Sequence, residues 1–250
     1  MADPIQLENL STDNWVRLAE NNHENFRFKW VANQVQKLGQ QEGSKVLLDV
    51  GCGTQPFKNL ILENGIEYLS QDFGKYEGDS SFFGLHNSEK PKGSIDFICD
   101  ILEIPENRQF DIVLCTEVFE HIPDPAKALE KLLKLVSTSG VLIITVPGSS
   151  WTHQAPYYFS SGLSPYWFEH HSARLDATVL NGVILGDLHW QVSQAMGALE
   201  TGTNKNFLKL VGRLYRRYLL KKGASLSKNC PAFYAPVSQV LVCIRRKELS

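Results

Sequence analysis

The chain has little that would mark it for a bilayer, an oxidising compartment or a polyanion. No apolar run approaches the ~18 residues a membrane span requires. Lys and Arg number 25 against 27 Asp and Glu, a net charge of −2, which excludes a domain-wide nucleic-acid footprint. The five cysteines, Cys52, Cys99, Cys115, Cys230 and Cys243, are odd in number and contain no CxxC pair. That argues against a disulfide framework or a zinc ribbon and for reduced thiols in a cytoplasmic chain. The opening MADPIQLENLSTDNW is polar and acidic, unlike a secretory signal. Internal repeats and low-complexity tracts are missing, and no His or acidic run has metal-site spacing, so no metal is expected. At 250 residues, one α/β domain with some decoration is the simplest count.

Residues 46–54, VLLDVGCGT, are the most informative stretch present. Val46, Leu47, Leu48 and Val50 suit an interior strand of a parallel sheet covered on both faces. Gly51 and Gly53 then allow a tight turn that a ligand can approach closely. Strand, glycine turn and helix open a nucleotide-binding α/β unit. The dinucleotide fingerprint GxGxxG is incomplete, because Pro56 stands at the third glycine. Asp49, two residues before the turn, suits a cationic ligand better than a diphosphate.

Strands are expected at about 45–50, 66–71, 95–99, 110–115 and 141–146, with a weaker one at 177–185 and the last at 237–244. The 95–99 strand is followed by Asp100, and the 66–71 strand by Asp72 and Phe73. Helices are expected at 23–38, 56–64, from Asp124 with Pro125 in its first turn, and at 164–175. The turn Ser137–Gly140 should end the third of these. Residues 74–94 read as a loop and 187–222 as two inserted helices. Strands alternating with helices give a doubly wound, mostly parallel seven-stranded Rossmann-like sheet with a helical insertion before its last strand. Residues 1–22 read as a polar N-terminal arm outside a single domain spanning 23–250. The 23–38 helix either packs on the sheet edge or forms a lid.

DVGCGT resembles motif I of the class I S-adenosylmethionine (SAM)-dependent methyltransferases. FDIVLCTEVFEHIPDPAKALEKLLKLVSTSGVLIITVP is similar to the central block of the small-molecule methyltransferases called type 11, with its EH-x-P-D-P run at Glu120–Pro125. HQAPYYFSSGL resembles an H-x-x-P…gL segment of relatives near polysaccharide and secondary-metabolite pathways. The resemblance covers about 45–165 well and 230–247 loosely. It implies SAM as cofactor and S-adenosylhomocysteine as product. The candidate cofactor residues are Asp49, Gly51, Cys52, Gly53, Asp72, Phe73, Asp100, Ile101, Cys115 and Thr116. A carboxylate at Asp72 can accept from both ribose hydroxyls, charge-assisted bonds stronger than neutral ones. Asp100 and the Ile101 amide suit the adenine edge, and the Cys115–Thr116 carbonyls suit the methionine ammonium.

Methyl transfer is an in-line displacement from an activated sulfonium, so alignment supplies much of the catalysis. A hydroxyl acceptor also needs a base. His153, in the loop after the fifth strand, is the first candidate; a structural hydrogen bond is the competing reading. His121 beside Glu120 is the second, against a packing role at the helix entry. His170 and His171 stand further off. Tyr157, Tyr158, Phe159, Tyr166 and Trp167 could wall a ring-shaped acceptor or serve as core. The expected acceptor is a small molecule bearing a sugar or secondary-metabolite hydroxyl, with a small amine second. RNA or protein methylation, or SAM binding without turnover, stay open. No [DN]-P-P-[YF] amide-holding signature follows the fourth strand. Residues 204–222 carry seven Lys or Arg and no acid. They form either a solvated helix face or a surface for an anionic partner such as a nucleotide sugar or a lipid-linked glycan.

Overall fold

A computed structural model describes residues 5–6, 14–18, 23–74, 93–186, 191–192, 195–196, 206–227 and 238–247. In chain order the strands are β1 (Ile5–Gln6), β2 (Trp15–Leu18), β3 (Lys45–Val50), β4 (Ile66–Asp72), β5 (Phe97–Ile98), β6 (Phe110–Thr116), β7 (Val136–Pro147), β8 (Ala177–Leu185) and β9 (Gln239–Arg246). The helices are α1 (His23–Gly39), α2 (Lys58–Glu63), α3 (Pro125–Leu135), α4 (Pro165–Arg174) and α5 (Asn206–Ser227). One sheet runs β1-β2-β8-β9-β7-β6-β3-β4-β5. β9 is antiparallel to both neighbours, and β1 to β2; the other pairs are parallel.

The apolar run of β3 is used on both faces. Leu48 and Val50 face a cluster with Leu129 and Leu132 of α3 and Phe168 of α4. Leu47 faces the opposite cluster with Val31 and Val35 of α1 and Ile61 of α2. That two-sided burial is why β3 shows almost no polar alternation. α3 starts where Asp124 accepts from the Lys127 amide at 3.1 Å and Pro125 occupies the first turn. Such a cap contributes about 1 kcal/mol. α4 begins the same way, on Ser164 and Pro165.

Among the described residues the sheet holds nine strands where seven are expected, and the polar arm over 1–22 supplies the difference. Trp15–Leu18 pairs in parallel with Gly182–Leu185, and Ile5–Gln6 adds to its outer edge. Trp15 is buried, and its indole N–H donates to Glu169 of α4. Ser137–Gly140 does not separate α3 from its strand. β7 already starts at Val136, and those four residues form an excursion between the Phe110–Val136 and Ile112–Val141 pairs. The third expected strand shrinks to Phe97–Ile98. Most of the 74–94 loop and of residues 187–205 lies outside the described residues. Of the insertion, α5 is a single 22-residue helix. No helix among the described residues is long and apolar enough to cross a membrane. The cysteines other than Cys230, which lies outside the described residues, are free thiols.

Gly182 shows how tightly the N-terminal strand is docked. A Cβ there would lie 2.3 Å from the Trp15 ring. Gly182→Val should therefore expel Trp15 and release β2 while sparing the central strands. Hydrogen exchange should rise at 15–18, with β3 and β6 unchanged; unchanged protection at 15–18 would contradict this packing.

Candidate functional site

A cavity of about 500 Å³ opens at the C-terminal ends of β3, β4 and β6. Ligands in open α/β sheets sit at this edge. Its floor is the glycine turn. Gly51 and Gly53 have φ of +63° and +47°, and a Cβ on Gly51 would lie 2.4 Å from Val118. Side chains at the end of β4 hold the turn. Gly51 N–H donates to Gln71 Oε1 at 3.1 Å, and Gly53 N–H to Asp72 Oδ2 at 3.0 Å. Asp72 Oδ1 accepts from Gly74 N–H. Asp72 also lines the cavity, where a carboxylate is a suitable acceptor for a vicinal diol.

Gln55 takes the left-handed conformation, φ +56°, one residue before Pro56. Its amide donates to the Ser94 carbonyl, and its oxygen accepts from Lys58 Nζ. α2 therefore starts only at Lys58, runs six residues and has no side-chain cap at Phe57. The phosphate seat of dinucleotide folds, a helix N-terminus directly beyond the turn, is not built.

Nine of the twelve candidate residues line the cavity: Gly51, Cys52, Gly53, Asp72, Phe73, Asp100, Ile101, Thr116 and His121. Phe73 meets Tyr157 edge-on at 5.6 Å. Asp100 has a structural duty as well. It caps the 3-10 turn Ile101–Glu103, accepting from Leu102 N–H at 2.8 Å while Glu103 accepts from the Asp100 amide. Burial, with Asp49 and Asp72 nearby, pushes the Cys52 thiol up to about 12, so it stays protonated and is no nucleophile.

The other three do not line it. Cys115 is fully buried within β6, paired across to Val50 and Ile144. Asp49 is buried and accepts from the Tyr68 hydroxyl at 2.9 Å. Burial pushes its carboxyl up to about 7, the Tyr68 bond opposes this, and Asp72 adds to it. His153 Nδ1 bonds the Trp151 carbonyl at 2.8 Å, and its ring packs on His121 at 4.9 Å and on Tyr158 at 5.1 Å. The first-choice base is thus held away from the cavity, and the second-choice His121 is at it. Of the aromatic candidates, Tyr157 and Phe159 line the cavity. Tyr158 bonds Ser150, Trp167 packs on Phe119 and His171, and Tyr166 is exposed.

His121 Nδ1 bonds the Tyr157 carbonyl, which can only accept, so Nε2 carries the lone pair of the neutral ring. Burial pushes His121 down to about 4, with the neighbouring His153 adding to this. Glu120 is buried, and burial with Glu117 nearby drives its carboxyl well up. Its backbone carbonyl accepts from Phe159 and Ser160, tying the loop after β7 to the end of β6. Linear spacing suggests no metal site, yet folding brings ligand atoms of Glu120, His121 and His153 within 4.8 Å of one another. One ring nitrogen of each histidine and a Glu120 carboxylate oxygen are a donor set that a divalent cation could take.

Sequence reasoning missed Glu117 and Arg27. Glu117 sits at φ +55°, a conformation costing about 1–3 kcal/mol for a non-glycine. It is held there from three elements: Thr145 Oγ1 of β7 donates at 2.9 Å, Gln239 of β9 at 3.2 Å, and Arg27 of α1 pairs at 2.8 Å. Arg27 and Phe28 also line the cavity, so α1 both packs and covers. The wall carries Asp72, Asp100 and Glu117 against one guanidinium, itself paired. That balance suits a cation, and the anionic acceptor expected from the basic segment finds no matching wall among the described residues.

Asp49 yields a test of the buried charge. Its folded value, about 7, lies above the ordinary 3.8. The contribution of Asp49 to stability is therefore fully present below pH 4, where both states are protonated, and is lost as pH rises toward 7. The full change is on the order of 4 kcal/mol. Asp49→Asn should gain stability over the native chain progressively from pH 4 to 8. Parallel melting curves across that range would contradict the burial.

A family model described as a methyltransferase domain matches residues 23–195. The ubiquinone biosynthesis O-methyltransferase of Leptothrix cholodnii is 29% identical over 123 residues, 48% of this chain and 50% of that protein. Its counterpart in Pseudomonas fluorescens is 30% identical over 120 residues, 46% and 47% of the two chains. The chain thus spans about half the length of these curated relatives. Among solved structures, a Galdieria sulphuraria protein named for sarcosine dimethylglycine methylation superposes with a TM-score of 0.52 at 15% identity, over 89% of this chain and 85% of that one. The methyltransferase complexed with the Haloferax volcanii Trm112 activator gives 0.51 at 12%, over 92% and 94%. These two likenesses show the fold. With the family model spanning most of the chain and the glycine turn, strand-end acids and cavity in place, the chain belongs to the methyltransferase-domain family and has the class I SAM-dependent methyltransferase fold.

Proposed function

We propose that this chain transfers the methyl group of SAM to a hydroxyl of a small molecule, in the class of a sugar or a secondary metabolite. The observation that carries the reading is the joining of Asp72 and the Gly51–Gly53 turn on one wall of a cavity that also holds His121. SAM supplies an activated methyl carbon. Asp72 would accept from its ribose hydroxyls, and the acidic wall would favour its positive charges. The relatives named as O-methyltransferases support a hydroxyl acceptor.

In the displacement, the acceptor oxygen bonds to the methyl carbon as the carbon–sulfur bond breaks and its electron pair passes to sulfur. The acceptor's proton goes to His121 Nε2. Depressed by burial, His121 is a weak base but is neutral, and therefore competent, across the physiological range. An amine acceptor is the second reading, favoured by the excess of carboxylates on the wall; it would arrive neutral and need no such base.

Asp72→Ala should weaken SAM binding at least tenfold by calorimetry; unchanged affinity would contradict the assignment. With labelled SAM and a host extract, label should enter soluble metabolites, and label confined to RNA or protein would overturn the small-molecule reading. His121→Ala should cut turnover by about 10²–10⁴-fold with SAM affinity preserved. The acid limb of kcat/KM should fall near pH 4, where His121 takes its proton. Full turnover in the variant would remove His121 as base and favour the amine.

A further inference from the structure

We propose that α5 is an interfacial helix that docks this protein on the surface of an anionic phospholipid bilayer. Phe207, Leu210, Val211, Leu214, Tyr215 and Tyr218 are all exposed, from 39% at Val211 to 73% at Phe207. Their spacing of three, one, three, one and three residues is that of a single helical stripe. Buried apolar stripes are the rule for helices of a folded domain, and this one faces outward. Gly212 is buried, and it falls on a different side of the helical wheel.

The charges select the occupant. The 22 residues of α5 include six Lys or Arg and no acid, in a chain whose net charge is −2. Exposed Arg213 and Arg217 fall on the flank between the stripe and the buried side, not within the stripe. An apolar band with cations along one flank matches a bilayer, whose acyl region is bordered by anionic phosphates. Tyr215 and Tyr218, with rings stacked at 6.4 Å, have the amphipathic character favoured at that boundary. RNA would require cations at the centre of the contact, where the exposed stripe from Phe207 to Tyr218 has aromatic and aliphatic side chains and no cation. A second copy joined through the same stripe would bring two cationic flanks together. At 22 residues but with six cations, the helix is not apolar enough to span, so it would lie in the interface. This inference is independent of the acceptor and of the assignment of His121.

The test is flotation of the full chain with vesicles of phosphatidylcholine mixed with phosphatidylglycerol, against phosphatidylcholine alone. Binding should need the anionic lipid and weaken with salt. Arg217→Gln should weaken it about fivefold, the effect of one charge near such a surface. The double variant Leu210→Ser, Leu214→Ser should reduce partitioning tenfold or more, with melting temperature and SAM affinity unchanged. Leu214→Trp should shift its emission to the blue on anionic vesicles, reporting insertion. Absence of partitioning, or partitioning indifferent to the double variant, would overturn the proposal. So would a dimer in light scattering that the double variant dissolves, or retention on RNA in place of vesicles.

Discussion

Two side chains at the end of one strand hold the turn at the end of the next. Gln71 and Asp72 of β4 accept from the amides of Gly51 and Gly53, and this couples the β3 turn to the strand beside it. The turn's left-handed glycines leave those amides accessible, and Val118 closes in over Gly51 so that no larger residue fits. Were the pairing lost, the Cys52 N–H bond to the Gln71 carbonyl would still join turn and strand, but the Asp72 carboxylate would no longer be tied to the floor of the cavity through Gly53. The energy involved is small, about 1.5–3 kcal/mol for a hydrogen bond to a charged group. Its effect is on geometry more than on stability.

Around that floor the chain concentrates negative charge at a cost. Asp49 lies beneath the turn in a setting that favours its protonated form. Glu120 is buried with one carboxylate oxygen unpartnered. Glu117 accepts a strained backbone and converts it into a junction of α1, β7 and β9. A positively charged ligand above this floor would meet a wall prepared for it, without the phosphate-binding helix start of the dinucleotide folds. Strain and buried acids cluster at sites in this way because the surrounding core over-determines them.

Much of this was legible in the residues. β3, β4 and β6 announce themselves as apolar runs ending in polar residues, and that pattern also located Gly51, Gly53, Asp72 and Thr116. α3 was marked by Asp124–Pro125 at its start and leucines at helical spacing. Other features depend on contacts far apart in the chain. WVRL is too short to signal a strand, and Trp15 finds its place only against Gly182. Glu117 resembles any solvated acid until Arg27 and Gln239 arrive. Which of the two histidines lines the cavity depends on a loop's direction, which is not written in its composition. Hydrogen bonds from Phe159 and Ser160 to Glu120 fold that loop back, placing His121 at the cavity and His153 behind it. The basic segment shows its apolar repeat, Phe207, Leu210/Val211, Leu214 and Tyr218, in the sequence; that this stripe faces outward is known only from its burial.

The central claim is that the cavity is built for a cationic nucleoside and not for a dinucleotide. Calorimetric titration of the native chain with SAM, S-adenosylhomocysteine and NAD tests it most directly. The account predicts saturable binding of SAM and S-adenosylhomocysteine and none of NAD at the same concentrations. Binding of NAD, or failure of both adenosyl ligands to bind a folded chain, would contradict it.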